Sequence, residues 1–335
     1  MRPISGTFTI SSMNKPFWSK ARLLTLAVRS SFEIDPTGKR FAIAVVNEIQ
    51  LRLFPNWWQP KNEIVLEKKS TEVASRSILF VIHVHYPDML ETALEYLRSL
   101  PRASTKIITT TSQDASDLSQ AAAVLSGHKT ILVPNRGRNF GPLLDVLADF
   151  EDWEYLVHLH TKKSRDHFSS RGAKWNDALW AELGNPETAI TAVEILHQHA
   201  DQGLAYPDVT AFVSPLNFHW NENTEIARGI LGQIGHELPE GPIAFPAGGM
   251  FAVKKAAILP LLSLGLKSTD MPPEPVGNDG TILHALERLI GVVPTLTGYK
   301  HIVIRGGRFY SDTSYTAGPR WLSRQPRATG SGGTR

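Results

Sequence analysis

His158, His160, Thr161, Lys162 and Lys163 close the stretch Tyr155–Ser164, YLVHLHTKKS, in which an apolar run ends in imidazoles and ammonium groups. Residues two apart on a strand face the same side, so His158 and His160 share one face. Ligands of open α/β sheets sit beyond the carboxyl ends of strands, so this cluster suits an anion such as a diphosphate. Taken alone, the same residues also describe two satisfied histidines followed by a solvated lysine pair.

Four further segments carry chemistry. In Asn135–Pro142, NRGRNFGP, Arg136 and Arg138 can bind phosphate or carboxylate oxygens through paired donors, and the glycines permit close backbone approach. The same pattern describes a surface turn before a helix whose first turn carries Pro142. In Phe245–Phe251, FPAGGMF, the pair Gly248 and Gly249 admits a flat ligand ring against which Met250 and Phe251 pack, or marks a strand bend. Asp279 in GNDGT stands before a helix, where it serves as general base or as helix cap. His83 and His85 form a second H-x-H pair, which raises a metal-hydrolase reading with His158 and His160, although no completing carboxylate is identifiable.

The elements that position these residues alternate. From Ser77 the chain reads as strand SILFVIHVHY, a helix from Asp88, strand KIITTT, an Ala/Leu/Ser-rich helix and strand KTILVPN, a βαβαβ beginning that builds a parallel sheet. A helix over Gly141–Phe150 precedes YLVHLH, and another is expected near Thr188–Gln202. TAFVSP and AFPAGGMFAVKK carry the next strand signals. A final helix over Thr281–Leu289 sets Ile282, Leu286 and Leu289 on one side and His284, Glu287 and Arg288 on another. Upstream, KPFWSKARLLTLAVRSSF over 15–32 has a basic amphipathic pattern, and Lys61–Glu72 reads as linker. The expected organisation is an extension over 1–76, a catalytic domain over 77–315 and a disordered tail over 316–335, rich in Ser, Gly, Arg and Thr.

Composition narrows the function classes. The 335 residues include no cysteine, which excludes disulfides, thiolate ligands and a cysteine nucleophile. A net charge of +3, with scattered Lys and Arg, argues against a nucleic-acid partner. No window reaches the roughly 18–20 apolar residues that span a bilayer, and the polar start MRPISGTFTISSMNK lacks a signal-peptide core. A cytoplasmic protein is expected.

In their order, FVIHVHYPD, NRGRNFGPLL, YLVHLHTKKS, FPAGGMFAVKK and NDGTILHALERL resemble the rhamnan synthesis protein F family of polysaccharide-assembly glycosyltransferases, over roughly Ile78–Leu289. The resemblance implies a GT-A-like nucleotide-binding α/β sandwich with a mainly parallel central sheet. It implies inverting transfer of a deoxyhexose, rhamnose foremost, from a nucleotide-diphosphate sugar such as dTDP-rhamnose to a saccharide or lipid-linked acceptor. Asp279 resembles the catalytic base of such enzymes. Arg136, Arg138, Asn139, His158, His160, Lys162 and Lys163 are then expected around the donor diphosphate, and His83, Gly248, Gly249, Met250, Phe251 and Glu274 in the sugar pocket.

Two departures from the family pattern bear on mechanism. Asn139 replaces an expected Asp, and HLH occupies the place of the D-x-D metal motif. Fixed cations Arg136, Arg138, Lys162 and Lys163 can stabilise the leaving group without metal, while manganese or magnesium on His158 and His160 is the alternative. A His-metal hydrolase and a noncatalytic nucleotide- or saccharide-binding module are the rival functions.

The 15–32 pattern predicts peripheral contact with an anionic membrane through Phe17 and Trp18 together with Lys20, Arg22 and Arg29. Deleting residues 1–35 should abolish co-sedimentation with anionic vesicles. Equal sedimentation of the shortened chain would assign the helix to packing alone.

Overall fold

The computed structural model describes residues 62–66, 77–111, 128–161, 170–213, 217–277 and 279–311. The expected helix over 15–32, the helical stretch between KIITTT and KTILVPN, the tail over 316–335, Lys162, Lys163 and Asn278 lie outside them.

In chain order the described elements are β1 (Glu63–Ile64), β2 (Ile78–Val84), α1 (Leu90–Ser99), β3 (Thr105–Thr110), β4 (His128–Leu132), α2 (Phe140–Asp149), β5 (Tyr155–His160) and α3 (Ser170–Glu182). They continue with α4 (Pro186–Gln198), β6 (Gln202–Pro207), α5 (Thr224–Gln233), β7 (Phe251–Lys254), α6 (Lys255–Leu262), α7 (Ile282–Leu296), β8 (Lys300–Arg305) and β9 (Arg308–Tyr310). The strands form one mixed sheet in the order β1-β9-β8-β6-β7-β5-β2-β3-β4. The pairs β2–β3, β3–β4, β2–β5 and β6–β8 are parallel, and β7 runs antiparallel between β5 and β6. The chain is therefore α/β with a mostly parallel central sheet, as its alternation predicts.

The uninterrupted apolar strands follow from burial on both faces. Every residue of β2 and β5 is buried, since α2, α6 and α7 cover one side of the sheet and α1, α3 and α4 the other. Each Leu, Ile or Val so enclosed contributes about 1.5–3 kcal/mol relative to exposure. Phe140, Leu143, Leu156, Phe251, Leu286 and Ile290 form the apolar seam that fastens α2 and α7 over β5 and β7. That seam carries the two helices on which the candidate site is built.

Four expectations need correction. TAFVSP is no strand over 210–213, because Asp208 Oδ1 accepts the Thr210 N–H and the Phe212 and Val213 amides return to the Val209 carbonyl, which curls the backbone. The strand is the preceding QGLAYP, so the helix expected to reach Gln202 stops at Gln198. Within AFPAGGMFAVKK only Phe251–Lys254 is strand, and Lys255 opens α6. Part of the run read as linker, Glu63–Ile64, pairs with β9 at the sheet edge.

The final helix continues past Leu289 to Leu296 because Gly291 lets it lie against the segment before β7. A β-carbon at Gly291 would stand 2.1 Å from the Ala244 carbonyl oxygen and 2.5 Å from Phe245 Cα. Alanine gains about 1 kcal/mol in helix propensity, but a backbone overlap this close costs about 3 kcal/mol. Gly291→Ala should therefore lower unfolding free energy by about 2 kcal/mol in urea denaturation, and an unchanged midpoint would contradict this packing.

Candidate functional site

The HLH end of β5 meets the glycine pair across the antiparallel β5–β7 register, in which His158 faces Phe251. Gly248 and Gly249 have φ of +100° and +77°, a turn that L side chains rarely adopt. His158 Nδ1–H donates to the Gly249 carbonyl at 2.8 Å, and His160 Nε2–H donates to the Gly248 carbonyl at 2.5 Å. A carbonyl only accepts, so each bond assigns the ring tautomer. Glu287 Oε1 on α7 accepts the Gly248 N–H at 2.8 Å. A β-carbon at Gly249 would lie 2.5 Å from Asn139 Nδ2, and one at Gly248 would lie 2.8 Å from Leu179 Cδ1. Both glycines are thus required by conformation, and a side chain at either would also displace the end of a packed neighbour.

The turn after β4 is built as tightly. Gly137 and Arg138 have φ of +75° and +50°, and Gly141 brings α2 against the Arg136 carbonyl. Arg136 Nε donates to the Met271 carbonyl at 2.5 Å. Arg138 Nη2 donates to the Val276 and Gly277 carbonyls at 3.0 and 3.1 Å, and its Nε lies 3.9 Å from Glu274 Oε1. Glu274 Oε2 in turn accepts the Val276 N–H at 2.9 Å. The two arginines zip the turn to residues 271–277. The Arg138 side chain keeps 42% of its exposure, so donors remain for an anion.

Asp279 is not the cap of α7. The N-cap is Thr281, in extended conformation, and Asp279 lies two residues upstream. Its Oδ1 accepts from Asn223 Nδ2 at 2.6 Å and lies 3.4 Å from Arg288 Nη2. Asn223 Oδ1 accepts the Gly280 N–H at 3.1 Å, so one amide holds both the carboxylate and its backbone neighbour. Arg288 is buried, and it donates to the His219 and His284 carbonyls and stacks over Phe245 at 5.2 Å. Oδ2 of Asp279 has no hydrogen bond or ion pair among the described residues, which leaves one carboxylate oxygen open.

Parallel strands end at one edge, and there the segments meet. His284 on α7 feels the charges of Arg138, Asp279, Glu287 and Arg288 together. Burial is the largest influence on its pKa and lowers it; the two carboxylates raise it and the two guanidiniums lower it further. Asn223 and the pairing role of Arg288 carry no local signal in the sequence. Asn223 is 56 positions from Asp279, and only the approach of α5 to α7 joins them.

His83 lies opposite His160 in the β2–β5 register, which puts the two H-x-H pairs on one sheet face. They do not gather around a common centre. His83 Nδ1 pairs with Thr109 Oγ1 at 3.0 Å and His85 Nδ1 with Thr111 Oγ1 at 2.7 Å, while His158 and His160 address glycine carbonyls. Among the described residues no group of three or more His, Asp or Glu is arranged to hold a metal ion. Both rings are buried and each gives one N–H to the turn, a bond that orients the ring and does not by itself bar its other nitrogen from a cation. Met250 and Phe251 are fully buried and line the core behind the glycines.

Burial gives the histidines a measurable signature. It pushes His158 down to about 4, against the opposing pull of the Gly249 and Asn139 carbonyls. His83 is lowered to about 3 by burial and then by the neighbouring His158 and His85, and burial lowers His301 to about 4. These rings are neutral in the fold, while in the unfolded chain they take up protons below about 6.5. The unfolded state then binds more protons, so their contribution is intact above pH 6.5 and is lost as pH falls toward 4. The urea midpoint should fall between pH 7 and pH 5, with up to three protons taken up on unfolding. A flat midpoint over that range would contradict the neutral, buried rings.

Comparison with known proteins yields a family and weaker likenesses. The profile of the rhamnan synthesis protein F family matches residues 48–299. Two proteins named "Uncharacterized protein WxcX", from two strains of Xanthomonas campestris pv. campestris, are each 27% identical over 240 residues, which is 69% of this chain and 33% of theirs. The chain thus spans about a third of the length of the curated relatives it matches. Among solved structures, S. aureus TarS 1–349 aligns at 10% identity and a TM-score of 0.39, over 71% of this chain and 60% of that one. The 4-diphosphocytidyl-2C-methyl-D-erythritol synthase of Anaerococcus prevotii aligns at 9% identity and a TM-score of 0.38, over 76% of this chain and 100% of that one.

Proposed function

The chain belongs to the rhamnan synthesis protein F family, and on that premise we propose that it is an inverting, GT-A-like glycosyltransferase of cell-surface polysaccharide synthesis. Its donor is a nucleotide-diphosphate sugar carrying a deoxyhexose, with dTDP-rhamnose foremost, and its acceptor is a saccharide or lipid-linked saccharide. The observation that carries the reading is Asp279, anchored through Oδ1 by Asn223 and Arg288 with Oδ2 open, beside the arginine turn at the carboxyl edge of the sheet.

In this reading the acceptor hydroxyl attacks the anomeric carbon while the bond from that carbon to the diphosphate oxygen breaks. The hydroxyl proton passes to Oδ2 of Asp279. The contacts from Asn223 and Arg288 hold the carboxylate fixed, so little reorganisation is needed at the moment of transfer. Arg138, with Lys162 and Lys163 from the segment after β5, offsets the charge of the departing nucleoside diphosphate. Arg136, His158 and His160 act through the backbone, holding the two turns in place, and Glu274 orients Arg138. Among the described residues no helix is long and apolar enough to cross a membrane, and membrane contact is assigned to the 15–32 segment.

The test is Asp279→Asn, measured with a donor found by thermal-shift screening of nucleotide sugars. Asparagine keeps an oxygen for Asn223, so folding should survive with a modest loss, as Arg288 gives up its counter-ion. Turnover should fall about 10²–10⁴-fold while donor affinity stays near wild type. A wild-type rate on the native acceptor would remove Asp279 from the base role.

A further inference from the structure

His284 lies one turn before Arg288 on α7 and three residues after the helix cap, among the charges of the Asp279 cluster. Thr281 makes no side-chain capping bond to the backbone, although threonine at this position ordinarily does. Its hydroxyl lies instead 2.8 Å from His284 Nδ1, its one side-chain hydrogen bond among the described residues. A hydroxyl proton needs an acceptor, and Nδ1 is the one in reach. Donation from Thr281 to Nδ1 leaves the ring proton on Nε2. Nε2 has no hydrogen bond among the described residues. Burial and the two guanidiniums favour the neutral ring, two carboxylates oppose them, and the lowered pKa says that the neutral form wins.

A neutral ring with Nδ1 occupied presents a single N–H donor. Its surroundings hold two carboxylates, Asp279 and Glu287, which accept from the Asn223 side-chain amide and the Gly248 N–H, and one part-exposed guanidinium, Arg138, that pairs with anions. A donor beside Arg138 complements an anionic oxygen. We propose that His284 is a substrate-contacting residue whose Nε2–H donates a hydrogen bond to a diphosphate oxygen of the nucleotide donor. The inference rests on the glycosyltransferase reading and adds a ligand that no motif of the sequence assigns. Thr281 is then a positioning residue, which spends its hydroxyl on the ring rather than on the helix end.

The experiment is calorimetric titration of the full chain with UDP, dTDP, GDP, CDP and inorganic diphosphate, in wild type and in His284→Ala, His284→Asn and His284→Gln. Asparagine places an amide near Nδ1 and can keep the Thr281 bond, whereas glutamine carries an N–H to the Nε2 position. The expected result is a loss of about three- to tenfold in affinity for Ala and Asn, the span of one hydrogen bond, with Gln near wild type. Inorganic diphosphate should lose affinity in parallel with the preferred nucleotide.

The reverse order, Asn near wild type and Gln impaired with its melting temperature lowered, would mean that His284 only anchors the helix start, and would overturn the proposal. A loss confined to the nucleotides would place the contact on the nucleoside and also overturn it. Should Ala fail to fold, the Asn and Gln pair carries the comparison. A wild-type chain that binds none of the five probes overturns the glycosyltransferase reading and this contact with it, whereas wild-type binding left unchanged by Asn overturns the contact alone.

Discussion

The candidate site depends on a reciprocal need between two buried groups. The Gly248–Gly249 turn enters the interior with two carbonyls that must find donors, and the HLH end of β5 buries two imidazoles that must find acceptors. Antiparallel pairing of β5 with β7 brings them face to face, and each histidine satisfies one glycine. Either pair left unmatched would cost about 1–3 kcal/mol per group. Because the clamp joins a strand end to a loop, it places the sheet edge and the glycine turn in one frame. Glu287 extends that frame to α7 through the Gly248 N–H.

A second constraint fixes the Asp279 carboxylate. Arg288 is buried, and a buried guanidinium requires a full set of acceptors and a counter-ion. It takes two carbonyls from His219 and His284 and the charge of Asp279. Such a pair is weak evidence for stability, since desolvation offsets much of the attraction. Its use here is orientation: one carboxylate oxygen is held from two directions, and the other has no hydrogen bond or ion pair among the described residues. The arginines of the turn after β4 have a related division of labour, with Arg136 committed to backbone and Arg138 half committed and half exposed.

Several features were legible in the chain itself. Alternating apolar runs and amphipathic stretches indicate a parallel α/β sheet, because buried strands and covering helices have distinct periods. The glycine pair, the arginine turn, the H-x-H strand end and Asp279 are each visible as local patterns, and the structure places them at one edge of the sheet. The order of the motifs was enough to indicate the family that the profile match establishes. Lack of cysteine and of long apolar runs are also statements that composition makes unaided.

What the chain could not announce are the partnerships made between distant segments. Two histidines in H-x-H spacing do not announce that each will donate to a glycine carbonyl, and only the register of β5 with β7 brings those carbonyls within reach. An aspartate before a helix looks like a cap, and the cap position fell instead to Thr281, whose hydroxyl turned to His284. The strand QGLAYP was hidden because its six residues, all buried, carry few β-branched side chains, while TAFVSP carries the pattern but is curled by Asp208. Local propensity is a preference of at most about 1 kcal/mol per residue, and burial against a neighbouring element outweighs it. Asn223, Arg288 and Glu287 become neighbours of Asp279 and Gly248 only when α5 and α7 pack over the sheet, since contact across the fold has no representation in sequence spacing.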